Sequence, residues 1–170
     1  MMESTTFHRQ QRRAETGSTL VEFAFVVPVV FMLIFGIIAG CYLAYQDSAL
    51  HDGASAGARM ASIETSLVSL QNNLYCESDH PVSIEKSVAQ ASPLLTVNPA
   101  PLCATSATAT QLTQSPTVNG DVNITVTCGG TCASPTTTAV TLAFSAKGLV
   151  APFGLTYHLT ATSQVPVLSP

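Results

Sequence analysis

The chain has 170 residues, of which 46% are apolar and only 9% are charged, and its formal net charge is −4. This length allows one small domain plus a membrane segment. Three of the six basic residues precede position 17, and the remainder of the chain carries three basic against eight acidic residues. A chain with so few cations has no basic patch to neutralise phosphates, which excludes nucleic acid as a partner.

An uninterrupted apolar run dominates the first third of the chain. Residues 23–46 contain no charged side chain, and these 24 positions exceed the roughly 20 that a helix needs to cross a bilayer. Arg9, Arg12 and Arg13 precede the run, and Asp47 follows it. Because positive charge stays in the cytoplasm, the sequence predicts a cytoplasmic amino terminus and an exported portion from about residue 47.

The boundary between the polar start and the apolar run has an unusual order. Residues 1–17 are polar and end in Gly17, whereas a secretory signal has its apolar core before the cleavage site. Glu22 is the only charged residue in the first turns of the run, where a carboxylate is costly unless it meets a cation. A cut after Gly17 would supply that cation as the amine of Ser18, from the same chain or from an adjacent subunit.

Small and then large apolar residues recur at helical spacing behind this boundary. Gly36, Gly40, Ala44 and Ser48 are four apart, a spacing that lets helix backbones approach closely. A second series with spacings of three and four predicts one helix from about 18 to about 72. Its small residues are expected to pack on a neighbouring helix, and its large residues on the protein's own globular part. This series is Ala49, Gly53, Ala56, Met60, Ile63, Leu67, Leu70 and Leu74. The helix-packing residues predicted here are Gly36, Gly40, Ala44, Gly53 and Gly57.

Four of the five cysteines fall in the exported portion, where disulfides form. Four cysteines allow three pairings. The sequence-local choice, Cys76 with Cys103 and Cys128 with Cys132, is favoured. A zinc site would need paired ligands at short spacings, and only the last two cysteines are close together. We therefore expect disulfides and no metal or other cofactor.

The exported portion predicts a short helix and three strands. A helix is expected from Asp79 to Ala91, followed by mostly irregular chain over residues 93–117. Alternation of apolar residues then predicts strands over residues 121–128, 138–146 and 155–165. The predicted apolar faces are Val122, Ile124, Val126 and Cys128 on the first, Val140, Leu142 and Phe144 on the second, and Leu155, Tyr157, Leu159 and Ala161 on the third. Such an antiparallel sheet would pack its apolar face on the long helix. The predicted fold is α+β, with a long transmembrane and stalk helix packed on a small domain that has a three-stranded antiparallel sheet, as in pilins.

No motif of an enzyme is present. The three histidines of the exported portion form no metalloprotease motif, and there is no nucleophile elbow or phosphate loop. We therefore expect a protein that is not an enzyme and has no catalytic residue. Two alternatives remain from other classes: a lipoprotein cut before Cys41, since residues 38–41 match a loose lipobox, and an uncut single-pass anchor for an adhesin or sensor domain.

The amino-terminal pattern resembles that of the TadE-like pseudopilins, minor pilin-like components of the Tad/Flp tight-adherence pilus machinery. The similarity extends over residues 14–61 and is carried by four stretches. They are Gly17-Ser-Thr-Leu-Val-Glu22-Phe23, Val-Val-Pro28, Phe35-Gly36 and Gly53-Ala-Ser-Ala-Gly-Ala-Arg59. The related TadF-like and TadG-like proteins share this pattern.

The resemblance implies a role and an arrangement. A prepilin peptidase would cut between Gly17 and Ser18, and Glu22 would be the motif glutamate, followed by Phe23 where related pilins often have Tyr. The chain would be a substrate and structural part that acts in pilus assembly, priming or stability during surface adhesion. Its expected partners are the peptidase, other pilins and pseudopilins, and membrane lipid.

The expected layout places the protein in the bacterial inner membrane, with its carboxyl-terminal domain extracytoplasmic or built into the pilus. A cytoplasmic leader would occupy residues 1–17 and a transmembrane helix residues 18–46. A stalk helix would then extend over residues 47–75, and a disulfide-bonded globular domain would occupy residues 76–170.

Overall fold

The protein was studied as a computed structural model that describes residues 7–63, 66–71, 74–77, 83–147 and 156–168. It divides into two compact units, residues 1–41 and residues 42–170. The second unit is a head in which one face of an antiparallel sheet is covered by helices. The predicted combination of a long amino-terminal helix with an antiparallel sheet is therefore confirmed.

A single helix, α1, extends from Phe7 to Ile63 and contains Pro28 without ending there. Within it, Leu20–Ile63 is long and apolar enough to cross a membrane. Almost every large apolar side chain between Leu20 and Ile38 is exposed, Met32 to 79% and Phe25 to 76%. Exposed apolar surface of this extent is unfavourable in water, so this part of α1 fits a single-pass membrane anchor.

The carboxyl-terminal end of α1 differs from the predicted stalk in its length and in the face that it buries. The helix ends at Ile63, which is 65% exposed, and not near residue 72. Its buried line runs through Leu50, Ala54 and Ala61, whereas Ala56 and Met60 of the predicted face are only half-buried. A helix from 47 to 75 is thus corrected to one that ends twelve residues earlier.

The reason for this error lies in the residues after Ile63. Leu67 lies beyond the end of the helix and is fully buried in the core of the head. Its N–H donates a hydrogen bond to the carbonyl of Cys132 at 3.0 Å. Leu70 and Leu74 lie on two paired strands. Apolar residues in a short hairpin therefore reproduced the three-and-four spacing of a helix by coincidence.

The sheet has seven strands in sequence order, each antiparallel to the next, where three were predicted. The last three strands are the predicted ones, and residues 93–117, expected to be irregular, contain two of the four additional strands. The strands are β1 Val68–Gln71, β2 Leu74–Glu77, β3 Leu102–Ala104, β4 Gln111–Gln114, β5 Asn123–Thr131, β6 Ser134–Lys147 and β7 Thr156–Pro166.

The predicted apolar faces of β5 and β6 are confirmed. Along β5, Ile124 and Val126 are fully buried, and along β6 so are Val140 and Leu142. On β7 the burial is weaker: Ala161 is buried, Leu159 is half-buried and Tyr157 is 38% exposed. The fourth residue of that predicted face, Leu155, lies outside the described residues.

A second helix, α2, extends from Ile84 to Ala91 and also packs on the head core. Ser83 is its N-cap: the side-chain oxygen accepts a hydrogen bond from the N–H of Lys86 at 3.3 Å, which satisfies one of the free donors of the first turn. Ile84 and Val88, four residues apart, are fully buried. The predicted start at Asp79 lies outside the described residues.

Candidate functional site

The predicted processing residues lie within α1. The backbone is helical at Gly17 and Ser18, so the chain has no break at the predicted cleavage position. Glu22 is exposed, and it lies four residues after Ser18, on the same face of the helix. Residues at this spacing have Cβ atoms about 5–6 Å apart, so a new amine on Ser18 could reach the Glu22 carboxylate of its own chain. Phe23 beside it is 67% exposed.

Gly36, Gly40 and Ala44 lie along the apolar part of α1. A Cβ atom added at either glycine would have no heavy atom of another element within 4 Å, and Ala44 is exposed. The lack of a side chain at the two glycines is therefore not explained by packing within the described chain.

Gly53 and Gly57, by contrast, lie against other elements of the same chain. A Cβ atom at Gly53 would stand 3.1 Å from Leu142 on β6, and one at Gly57 would stand 2.9 Å from Val88 on α2 and 3.2 Å from Val140 on β6. Both glycines therefore let α1 lie close against the sheet and α2 of the same chain. At these two positions the neighbours are helix α2 and strand β6 of the same chain.

Two disulfides close the head, with the pairing that the sequence favoured. Cys76 on β2 is bonded to Cys103 on β3, and Cys128 on β5 is bonded to Cys132 in the β5–β6 connection. Cys41, in the apolar part of α1, is free and exposed. Among the described residues, no group of three or more potential metal ligands comes together.

A buried amide network, which sequence reasoning missed, ties the long connections to the sheet. Gln114 on β4 donates to the carbonyls of Asn98 and Ala100, both at 2.8 Å, and accepts from the N–H of Ile124 at 2.8 Å. The side chain of Asn98 donates to the Asn123 side chain at 2.9 Å. No local pattern marks these amides, because their partners are up to 25 residues distant along the chain.

Asn123 is part of a possible glycosylation triplet with Ile124 and Thr125. Its side-chain nitrogen donates to the carbonyls of Val118 at 3.1 Å and Asp121 at 3.2 Å. A nitrogen engaged in this way is not available for attachment of a sugar in the folded head.

The outer face of the sheet, opposite α1, is uncharged over its middle. A row of threonines, one at each paired position, crosses four adjacent strands of this face. The hydroxyls of Thr141 and Thr162 in this row lie 3.0 Å apart. A cleft of about 510 Å³ lies over β3 and β4 on this face, next to Cys103 and Gln111. Its lining carries hydroxyl and amide groups, from Thr105, Thr113, Ser115 and Gln111. The row is Thr113, Thr125, Thr141 and Thr162.

The family comparison bears on the amino-terminal part of α1. Residues 17–59 match the model of the family described as TadE-like protein. Over this region the chain is similar to TadE-like proteins. The predicted resemblance is thereby confirmed, and the match begins at Gly17 and contains Glu22 and all four helix glycines from Gly36 to Gly57. No curated protein and no solved structure gave a match.

The TadE-like region associates the chain with the Tad pilus system. Its apolar helix fits a single-pass anchor in such a system. The match ends at Arg59, four residues before α1 ends, so the sheet of the head lies outside it. The family match therefore gives no information about the sheet of the head.

Proposed function

We propose that the protein is a minor pseudopilin of a Tad-type pilus, a structural subunit and peptidase substrate, not a catalyst. The observation that carries this proposal is the position of Gly17, Ser18 and Glu22. The family match starts at Gly17, and the apolar helix that follows is unbroken to the head. Cleavage there would remove the polar leader and leave the whole anchor in the mature chain.

Cleavage would also change the electrostatics of the helix end. A cut before Ser18 creates a helix whose first four nitrogens, the protonated amine and three backbone N–H groups, have no helical partners. These groups are positive, so a carboxylate close to the helix start is favoured there. Glu22 is that carboxylate, and it can pair with the Ser18 amine of its own chain or of an adjacent subunit. In a low-dielectric surrounding this attraction is strong, although desolvation offsets part of it.

The small residues of α1 fall into two groups with different surroundings, and this difference supports the same function. Gly53 and Gly57 pack on the head of the same chain, whereas a Cβ atom at Gly36 or Gly40 would meet no other element of the described chain, and Ala44 is exposed. These last three residues are available to contact helices of other pilins in the membrane or the filament. The expected location is the inner membrane, with the head outside the cytoplasm and the subunit entering the pilus.

The test is the intact mass and amino-terminal sequence of the protein from its native membrane, with a strain that lacks the prepilin peptidase as control. We expect a chain that starts at Ser18 in the first strain and an uncut chain in the second. A chain that starts at lipidated Cys41 would make the protein a lipoprotein. An uncut chain in both strains would leave a plain membrane anchor, and either result would overturn the proposal.

A further inference from the structure

The two edges of the sheet differ in length. β1 has four residues, whereas β7 has eleven. An edge strand presents backbone N–H and C=O groups that have no partner on one side, and these groups can bind a strand of another chain. Short edges offer few such groups, so β1 is protected by its length and β7 is not.

β7 also lacks the other features that usually protect an edge. No residue of Thr156–Pro166 is charged, and proline occurs only at the last position. Its register with β6 is regular over all eleven pairs, whereas the β5–β6 pairing is irregular between Gly129 and Gly130. In the part of the chain that the structure describes, no strand pairs with the free side of β7.

The side chains along β7 leave an apolar margin on the helix side of the sheet. There Tyr157 is 38% exposed, and Leu159 and Val165 are half-buried, unlike the fully buried residues of β5 and β6. On the opposite face the exposed residues are polar, among them Thr160 and Gln164. An additional strand with apolar side chains at alternate positions would continue both faces and cover the apolar margin.

We propose that β7 binds an extended, uncharged strand of another subunit, which adds an eighth strand to the sheet. Main-chain hydrogen bonds would supply affinity, and apolar side chains beside Tyr157 and Val165 would supply specificity. The proposal rests on the proposed function for the source of this strand, a different subunit of the same pilus system.

A second copy of this chain fits the edge less well. Antiparallel pairing of β7 with β7 relates two heads by a half-turn about the sheet normal, so the α1 segments that cover the two sheets would run in opposite directions. Subunits that enter one pilus with a common polarity do not fit that arrangement. A copy in the same orientation would bring its β1 edge, which offers only four residues. The occupant is therefore a strand from a different chain.

The experiment uses the full-length protein in its native membrane, with a photoreactive phenylalanine in place of Gln164 on β7. Thr127 on β5, which is exposed on the same face, is the matched control position. We expect an adduct with a different polypeptide at Gln164 and none at Thr127, and mass spectrometry identifies the segment that is joined. An adduct with another copy of the chain, equal adducts at both positions, or no adduct would overturn the proposal.

Two proline variants, Thr162→Pro and Ser163→Pro, test the backbone contribution. N–H groups of successive strand residues point to opposite sides, so one variant removes a donor to β6 and the other a donor at the free edge. The variant that keeps the wild-type melting temperature is the edge variant, and we expect it to lose at least tenfold of the Gln164 adduct. An unchanged adduct in that variant would contradict strand addition.

The two proposals can fail separately. A chain that is cut at Ser18 but gives no adduct from β7 would overturn strand addition and leave the pseudopilin role intact. An uncut chain that gives the adduct would overturn the pseudopilin role and show that β7 binds a partner in another kind of assembly.

Discussion

At the scale of single residues, close approach of α1 to the head depends on Gly57. Its missing Cβ would stand 2.9 Å from Val88 and 3.2 Å from Val140, both fully buried in a packed core. Any side chain at this position must displace α2 or β6. The TadE-like region thus contains a residue whose size is fixed by the head of the same chain.

We expect Gly57→Leu to lower the free energy of unfolding of the head by about 1–3 kcal/mol, because overpacking forces a core to shift. Gly40→Leu is the matched control: the same change on the same helix meets no neighbour in the described chain, and its unfolding free energy should not fall. Denaturant unfolding in detergent, followed by circular dichroism of the sheet, measures both. Equal stability of the two variants would contradict the packing role of Gly57.

Gln114 is a second residue on which the head depends. Gln114→Leu would leave the carbonyls of Asn98 and Ala100 and the N–H of Ile124 without their partner. Buried groups that lose their partners cost about 1–3 kcal/mol each, so we expect destabilisation of at least 3 kcal/mol. The same substitution at Gln111, an exposed residue of the same strand, should change the unfolding free energy by less than about 0.5 kcal/mol. Thermal or denaturant unfolding measures the unfolding free energy of both variants and tests this difference.

At the scale of the elements, the two disulfides close loops of different size. Cys76 and Cys103 are 27 residues apart, and Cys128 and Cys132 only four. Because a crosslink restricts the unfolded chain more when its loop is longer, the first bond is expected to contribute about 3.6 kcal/mol and the second about 2 kcal/mol.

Replacement of Cys76 and Cys103 by alanine should therefore lower the unfolding free energy by about 1.5 kcal/mol more than replacement of Cys128 and Cys132. Each pair of substitutions serves as the control for the other, since both remove two cysteines from the same head. Unfolding in denaturant under non-reducing conditions gives the comparison. A larger loss from the second pair would show that strain or local packing, and not loop length, determines the contribution.

The elements that the sequence predicted well are those with a long periodic signal. β5, β6 and β7 alternate apolar and polar residues over many positions, and the charge-free run of α1 is long enough to cross a bilayer as a helix. β1 to β4 are three or four residues long, too short to alternate clearly. Around Leu67, Leu70 and Leu74 the short hairpin even produced a false helical period.

Some residues of the candidate site could be predicted from the sequence and others could not, for a related reason. The order of polar leader, Gly17, Ser18 and Glu22 is local, so the sequence displays it directly. Packing of Gly53 and Gly57 on the head could not be predicted, because it depends on which face of α1 meets the sheet. The amide network around Gln114 joins residues that are close only after folding.

At the scale of the whole molecule, assembly should depend on the charge of Glu22 and stability should not. We expect Glu22→Ala and Glu22→Gln to be cut normally between Gly17 and Ser18, and to enter pili at less than about one-tenth of the wild-type level, since a lost buried charge pair costs several kcal/mol. Glutamine keeps the size of the side chain and removes only its charge. Phe23→Tyr, next to it, is the control that should assemble.

Quantification of the subunit in purified pili, with the amino terminus sequenced in the membrane fraction, separates the two steps. Variants of Glu22 that enter pili at the wild-type level would show that the carboxylate has no role in assembly. Variants that stay uncut would assign it to recognition by the peptidase instead.

The order of the strands has a consequence for how the head is made. Every strand pairs with the one before it in sequence, so in the proposed topology each new strand that crosses the membrane would find its partner already exported. Cys103 would likewise meet Cys76 on the preceding strand before residues 123–168 emerge. Folding of the head would then keep pace with translocation. A chain that ends after Ser115 should already contain the Cys76–Cys103 bond, which mass spectrometry of the exported fragment would show.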